Sequence, residues 1–274
     1  QLYTVLISDL TGAYRDTREY PREGAVISRK DLTDLIRGVM LLVPPSRYGV
    51  VGICLGVYGI VNEREILFTP HYRLEDQTHL CRLLEEEFRI PFFIENDANL
   101  SVFGESILHP ECRNMIFLNI HSGIGSGILL DGKIFRGRRG YAGEIGHTII
   151  VPRGRVCSCG NHGCLEQYAS ERAVLKAYAD ESALSFVTME KFLRNYREGD
   201  PLAHRLIEDF CLYLSICINN LIFTFNPELI VLSNRFCSEI PGILDRISRN
   251  LRTGNRDQVA ILSADSSCSS ELLG

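Results

Sequence analysis

The sequence predicts an α/β fold. Segments rich in β-branched and aromatic residues alternate with segments whose apolar residues recur at helical spacing, which is typical of a sheet covered by helices. The chain has 274 residues, of which 45% are hydrophobic and 23% are charged. That is enough apolar material for one large domain or for two lobes. No internal sequence repeat is visible.

The first half opens with a predicted β-hairpin. Residues 2–8 are β-rich and lead into Asp9-Leu10-Thr11-Gly12, a turn signature, after which the alternation resumes. Helical spacing over residues 31–43 predicts a helix that ends before Pro44-Pro45. Further along we expect a buried strand at Val50–Leu55, a glycine loop at Gly56–Gly59, an amphipathic helix over 76–89, a strand over 91–94 and a helix opened by Glu95–Asn99.

The second half begins near residue 115. We expect a strand at Met115–Ile120, a glycine hairpin and then the longest helix, over residues 200–224. Asn226-Pro227-Glu228 stops this helix, and Leu229–Leu232 forms a further strand. The expected division is an N-terminal lobe of residues 1–114 and a C-terminal lobe of residues 115–274.

Both lobes are expected to be truncated. Gln1 opens the chain inside an extended segment, and Gly274 closes it directly after Leu272-Leu273. We therefore expect the N-terminal lobe to be cut at its first strand and the C-terminal lobe before its last helix.

Charge and hydropathy argue against nucleic-acid binding and against a membrane span in this stretch of chain. The net charge is -5, whereas a surface that binds nucleic acid normally carries a basic excess, because phosphate neutralisation dominates that affinity. No run reaches about 18 apolar residues, so no membrane span is expected. No signal peptide is evident, and most of the ten cysteines lie in apolar segments, as reduced thiols do. We expect a cytoplasmic protein.

A cysteine-rich loop is a candidate metal site. Three thiols lie within eight residues of one another, and glycines between them allow a tight knuckle. Three thiolates can bind a tetrahedral Zn²⁺ and need one further ligand, for which two histidines are available. The alternative is a set of reduced thiols in a glycine loop, although the third cysteine favours the metal. The candidate ligands are Cys157, Cys159, Cys164, His147 and His162.

A polar string at a strand-to-helix junction is a second candidate site. The segment reads Glu95-Asn96-Asp97-Ala98-Asn99. Asn and Asp are good helix caps, so capping by itself explains the segment. Alternatively, a carboxylate and an amide point into a cleft and bind a polar ligand. The residues alone leave both interpretations open.

These segments together resemble the ROK family of repressors, open reading frames and kinases. Gly143-Glu-Ile-Gly146-His147 followed by the cysteine loop is similar to the family signature, and the 95–99 string looks like its sugar-binding segment. The resemblance covers essentially the whole chain. It implies a two-lobed actin-like ATPase (ribonuclease H-like) fold with an inserted zinc-binding loop at residues 147–166.

The resemblance also implies roles for individual residues. The implied zinc ligands are His147, Cys157, Cys159 and Cys164, and His162 is not among them. Four protein ligands fill the tetrahedral shell, so the implied zinc is structural and not catalytic. The implied sugar contacts are Asn96, Asp97, Glu144, His147 and Glu166. In kinase members the counterpart of Asp97 is the general base that takes the proton from the attacking hydroxyl.

The nucleotide side departs from the kinase pattern. The first phosphate loop of kinase members, D-x-G-G-T, aligns just before Gln1, with its threonine at Gln1 itself. Kinase members carry Gly-Gly where this chain has Ser233-Asn234-Arg235. A glycine hairpin resembles the second phosphate loop, although a hairpin turn explains it nearly as well. Its glycines are Gly123, Gly125 and Gly127.

We therefore interpret the chain as the sugar-sensing effector domain of a ROK transcriptional regulator, more consistent with a repressor than with an enzyme. The resemblance implies a hexose or N-acetylhexosamine effector, a structural Zn²⁺, a homodimer, and DNA binding through a winged helix-turn-helix that this chain lacks. The first alternative is a sugar kinase of the glucokinase or N-acetylhexosamine kinase type, with Asp97 as general base and ATP and Mg²⁺ as cofactors. A further alternative is a domain whose main partner is another protein and whose sugar pocket is vestigial.

Overall fold

The chain divides into two compact units. The computed structural model describes residues 2–22, 24–62, 64–70, 72–251 and 259–264. Among the described residues, the first unit contains the chain up to Ser101 and the segment Arg136–Ala142, and the second contains Val102–Phe135 and the chain from Gly143 to Ala264. The expected division after residue 114 differs from this one, because the units separate after Ser101 and 136–142 returns to the first unit. The expectations for Gln1 and for the C-terminal truncation fall outside the described residues.

The first unit is built from pairs of strands and the helices packed on them. β1 and β2 form the predicted antiparallel hairpin, β5 and β6 are also antiparallel, and the pairs β3/β7 and β4/β8 are parallel. The elements are β1 (Leu2–Ser8), β2 (Arg15–Pro21), β3 (Val26–Ile27), α1 (Arg29–Met40), β4 (Ile53–Val57), β5 (Ile60–Asn62), β6 (Glu65–Phe68), β7 (Arg73–Leu74), α2 (Leu80–Phe88), β8 (Phe92–Asn96) and α3 (Asp97–Leu108), whose later turns belong to the second unit.

Local chemistry sets the limits of the first two helices. Ser28 and Asp31 form a capping box at the start of α1, with the Asp31 N–H donating to the Ser28 hydroxyl over 3.0 Å. α1 ends at Met40 and not at residue 43, because the next residues close tighter turns as the chain approaches Pro44. α2 begins at Leu80 and not at residue 76, since Asp76 has a left-handed backbone with φ of 53° that interrupts a helix.

The pairing of β4 with β8 also shifts the predicted strands. We expected 50–55 and 91–94, but the ladder joins Ile53–Val57 to Phe92–Asn96. Pro91 has no N–H to donate, and its carbonyl accepts the first bond, from the Ile53 N–H over 2.9 Å. The expected helix start at Glu95 was therefore wrong: Glu95 and Asn96 end the strand, and α3 begins at Asp97.

The second unit is organised around a mixed five-stranded sheet with the order β11-β10-β9-β12-β13. β9 pairs antiparallel with β10 and parallel with β12, which confirms the predicted strand and glycine hairpin. The elements after α3 are β9 (Met115–Ile120), β10 (Ile124–Leu130), β11 (Lys133–Ile134), a 3₁₀ turn (Ile145–His147), α4 (Glu166–Ala169), α5 (Glu171–Glu181), α6 (Met189–Arg197), α7 (Pro201–Phe225), β12 (Leu229–Ser233), α8 (Arg235–Glu239), α9 (Ile243–Asn250) and β13 (Ala260–Ser263).

α7 is the central helix of the second unit. Asp200 caps it, accepting the Leu202 N–H over 2.8 Å, and Asn226 ends it in a left-handed conformation. Within the described residues, α7 alone is long and apolar enough to cross a membrane by length and composition. Its stripe, including Phe210 and Ile218, is buried against β9 and neighbouring helices, and this core packing explains its apolar character.

Candidate zinc and sugar sites

The predicted zinc loop is folded by close backbone contacts. The Cys157 N–H donates to the Asn161 carbonyl over 2.9 Å, and an isolated bridge joins Ile149 to Cys164. At Gly163 φ is 85°, and a Cβ there would lie 1.7 Å from the Val151 carbonyl oxygen. Only glycine fits this position, so the knuckle that the sequence predicted depends on it.

The four predicted ligands lie together in the second unit. The ligand atoms of His147, Cys157, Cys159 and Cys164 are all within 4.8 Å of one another, and His162 is not in this group. The Cys159 and Cys164 sulfurs are 3.7 Å apart, and the Cys157 sulfur is 3.5 Å from His147 Nδ1.

These spacings match the chemistry of a tetrahedral zinc site. With Zn–S of about 2.3 Å and Zn–N of about 2.05 Å, tetrahedral ligands lie about 3.8 Å apart for two sulfurs and about 3.6 Å apart for sulfur and nitrogen. The donor set of three thiols and one imidazole is also one that Zn²⁺ prefers. The cluster could therefore hold a metal ion.

The thiols of the cluster interact strongly with one another. Burial by itself favours the protonated thiol of Cys157, yet hydrogen bonds from Cys159 and from two other cluster members lower its pKa to about 7. Burial and the neighbouring sulfurs raise the pKa of Cys164 to about 12. A bound dication would favour the thiolate form of these cysteines, because the thiolate is the form that binds metal.

A carboxylate lies beside the histidine of this cluster, and a second carboxylate lies near the first. Glu144 Oε2 is 3.9 Å from His147 Nε2, the ring nitrogen that does not face the cysteines. Burial raises the pKa of Glu144, the His147 imidazole opposes that rise, and the Glu166 carboxylate adds to it. The second unit therefore brings together three of the five predicted sugar contacts.

Glu166 is held firmly in place at the start of α4. Its Oε2 accepts the Ile124 N–H over 3.2 Å, and its Oε1 accepts from Arg172 over 3.2 Å. A Cβ at Gly123 would lie 2.7 Å from Glu166 Oε2, so the first glycine of the hairpin makes room for this carboxylate. Gly123 thus has a structural role that requires no nucleotide.

In the first unit, Asn96 caps α3. Its Oδ1 accepts the N–H groups of Ala98 over 2.9 Å and Asn99 over 3.1 Å, as a helix cap does. Its Nδ2 donates to the Gly59 carbonyl over 2.8 Å and to Asp97 Oδ1 over 3.2 Å. The capping interpretation accounts for the oxygen of Asn96, while the amide nitrogen fixes Asp97 and a loop.

A half-buried ion pair supports this cap, and sequence reasoning missed it. Glu95 Oε2 accepts two bonds from the Arg136 guanidinium, one of them from Nε over 3.0 Å. Glu95 Oε1 accepts the Asn96 N–H over 3.0 Å and the Asn99 amide over 2.9 Å. The two partners are 41 residues apart in sequence, so no local pattern connects them.

Comparison with known proteins identifies the family. The family model of the ROK family matches residues 3–274. The chain belongs to the ROK family. A xylose repressor from Bacillus spizizenii is 36% identical over 231 residues, which cover 81% of this chain and 58% of the repressor. This chain thus spans little more than half the length of that relative.

Solved ROK structures have the same fold. The crystal structure of a ROK hexokinase from Thermus thermophilus matches with a TM-score of 0.80 at 27% identity, covering 94% of this chain and 87% of that one. A ROK family transcriptional regulator, a homologue of the E. coli MLC protein, matches with a TM-score of 0.80 at 24% identity, covering 98% and 74%. The actin-like, sugar-kinase fold that the resemblance implied is confirmed, and both repressors and kinases share it.

The segment predicted to resemble the second phosphate loop is part of the sheet. Gly125 and Gly127 lie within β10, opposite Asn119 and Phe117, so they belong to a regular ladder. The implied threonine position at Gln1 is outside the described residues.

The residues that replace the Gly-Gly pair form a cap and an ionic network. Asn234 is buried, and its amide donates to the Ile120 carbonyl over 3.0 Å and to Glu171 over 3.2 Å. Its Oδ1 caps α8 by accepting the Cys237 N–H over 3.1 Å. The Arg235 guanidinium pairs with Glu190 and Glu239.

Proposed function

We propose that this chain is the sugar-sensing effector region of a ROK transcriptional regulator and that it transfers no phosphate. The observation that carries the proposal is the segment after β12. Kinase members are implied to use Gly-Gly there so that backbone approaches the nucleotide. Here the Asn234 side chain stands at that position, bonded to Ile120 and Glu171. A nucleotide that displaced this side chain would break both bonds, which costs about 1–3 kcal/mol for each buried group left unsatisfied.

The named relative supports the regulator. The Bacillus spizizenii protein is a xylose repressor, and its aligned region is 58% of its length. We infer that DNA is bound by a part of the whole protein outside this chain, because the net charge of -5 does not suit a phosphate-binding surface. A homodimer and a cytoplasmic location belong to the same proposal.

The proposed sugar contacts are polar groups of the 95–99 string and of the residues around the cysteine loop. Carboxylates with two acceptor oxygens suit the paired hydroxyls of a sugar. A structural Zn²⁺ on Nδ1 of His147 would fix its ring, leaving Nε2 near Glu144 available to a hydroxyl. The contacts are Asn96, Asp97, Glu144, His147 and Glu166. The effector is a hexose or N-acetylhexosamine, and the name of the relative adds xylose as a candidate.

The test is calorimetry of the zinc-loaded chain with glucose, N-acetylglucosamine, N-acetylmannosamine and xylose. We expect one of these sugars to bind and to raise the melting temperature by mass action. Glu144→Ala should weaken binding by about 1–3 kcal/mol, because the sugar hydroxyl that donates to the Glu144 carboxylate is left unpaired. Glu111→Ala, which removes a carboxylate that is 70% exposed on a different loop, is the matched control. If no sugar of the panel binds, the vestigial-pocket alternative is correct.

A further inference from the structure

Tyr58 lies at the carboxyl edge of the strand pair that carries the sugar-binding string. β4 and β8 are parallel, and Val57 is the register partner of Asn96. Parallel strands end at the same edge of a sheet. The next residue of each strand is therefore Tyr58 on one side and Asp97 on the other. Partial burial and the nearby Asp97 carboxylate both raise the pKa of Tyr58, as expected for neighbours.

The Tyr58 ring is exposed although its backbone is fixed. The residue is 59% exposed. The Gly59 carbonyl accepts the Asn96 amide over 2.8 Å, and a Cβ at Gly59 would lie 2.1 Å from the Phe68 carbonyl oxygen. The backbone of the loop after β4 is thus held on two sides.

A second tyrosine lies near the first. Burial raises the pKa of Tyr72 to about 12, and the nearby Tyr58 N–H opposes that rise. The Arg22 guanidinium carbon lies 5.2 Å from the centroid of the Tyr72 ring, in a cation–π contact. Tyr58 is thus an exposed aromatic ring beside the Asp97 carboxylate, on a loop whose backbone is held in place.

We propose that the Tyr58 ring is a platform on which the apolar face of a ring-closed sugar stacks, and that it determines specificity for pyranoses. The inference rests on the proposed sugar-sensing function. The C–H groups on one face of a pyranose carry slight positive charge, and the face of an aromatic ring is negative. Asp97 can accept hydroxyls at the edge of the same sugar. An open-chain polyol has the hydroxyls but no flat C–H face, so it gains nothing from the ring.

Two variants separate the ring from its hydroxyl. Tyr58→Phe keeps the platform, and Tyr58→Ala removes it. Tyr48→Ala is the control, because Tyr48 is 74% exposed elsewhere in the same unit. With the sugar that calorimetry identifies, we expect Tyr58→Phe to bind within about twofold of the unaltered chain and Tyr58→Ala to bind about five- to tenfold more weakly. The corresponding polyol should bind all three variants equally.

A spectroscopic readout excludes a merely structural effect. The ring current of Tyr58 should move the C–H proton signals of the bound sugar in the unaltered chain and in Tyr58→Phe, but not in Tyr58→Ala. Melting temperature and zinc content should be the same in all variants. If the unaltered chain binds sugar and Tyr58→Ala binds it with the same affinity and proton shifts, the platform is refuted while the sensing function stands. If the unaltered chain binds no sugar of the panel, the sensing function fails, and the inference with it.

Discussion

The ion pair between Glu95 and Arg136 offers a quantitative test of how the sugar-binding string is held. Arg136→Met removes the guanidinium and leaves the Glu95 carboxylate with the Asn96 and Asn99 bonds on one oxygen alone. The Glu95 side chain is 10% exposed and that of Arg136 is 39% exposed. Breaking a fully buried pair costs about 3–5 kcal/mol, whereas an exposed pair contributes about 0–1 kcal/mol. We therefore expect Arg136→Met to lower the free energy of unfolding by about 2–3 kcal/mol.

A double-mutant cycle shows whether the pair itself is responsible. Glu95→Gln removes the charge but keeps an oxygen that can accept the Asn96 N–H. Combined with Arg136→Met, it leaves no buried charge, so the double variant should be more stable than Arg136→Met alone by about 1–2 kcal/mol. Urea unfolding followed by circular dichroism gives these energies from midpoints and slopes. An Arg136→Met midpoint equal to that of the unaltered chain would refute the reasoning.

Two further predictions concern the second unit. Cys159→Ser should lose bound zinc by elemental analysis and lower the melting temperature, because metal binding and folding are linked, whereas Cys54→Ser, at an exposed thiol outside the cluster, should keep both. Asn234→Gly should lower the free energy of unfolding by about 1–3 kcal/mol, since it removes the cap of α8 and an amide bonded to Ile120. Urea unfolding measures this change, and unchanged stability would contradict the structural role given to Asn234.

The sequence predicted those features whose signals are local. The strand Met115–Ile120 and the hairpin after it follow from a continuous apolar run and a glycine turn, and the structure has both. The His/Cys cluster was also predictable, because three of its residues share one short loop and the fourth, His147, ends a family motif. Helix and strand limits were less accurate where a tertiary contact decides them, as Pro91 does for the start of the β4/β8 ladder.

Long-range pairs are the part that the sequence could not reveal. Nothing in the sequence near Glu95 indicates Arg136, because the pair forms only when the segment 136–142 returns to the first unit. The dual role of Asn96 was likewise undecidable. Its oxygen caps α3, as any Asn at that position does, and only the structure shows that its nitrogen binds the Gly59 carbonyl.

The central claim is that sugar is sensed and not phosphorylated, and one measurement on the full-length protein tests it. ADP production is followed with ATP, Mg²⁺ and the sugar that binds, while release of a palindromic operator DNA is followed in the same mixture. Phosphoryl transfer needs a γ-phosphate held in line beside the sugar hydroxyl. The account predicts that sugar releases the operator, that ADP production does not rise above the sugar-free rate, and that Asp97→Asn changes sugar affinity alone. Sugar-dependent ADP production that Asp97→Asn abolishes would contradict it and identify a kinase.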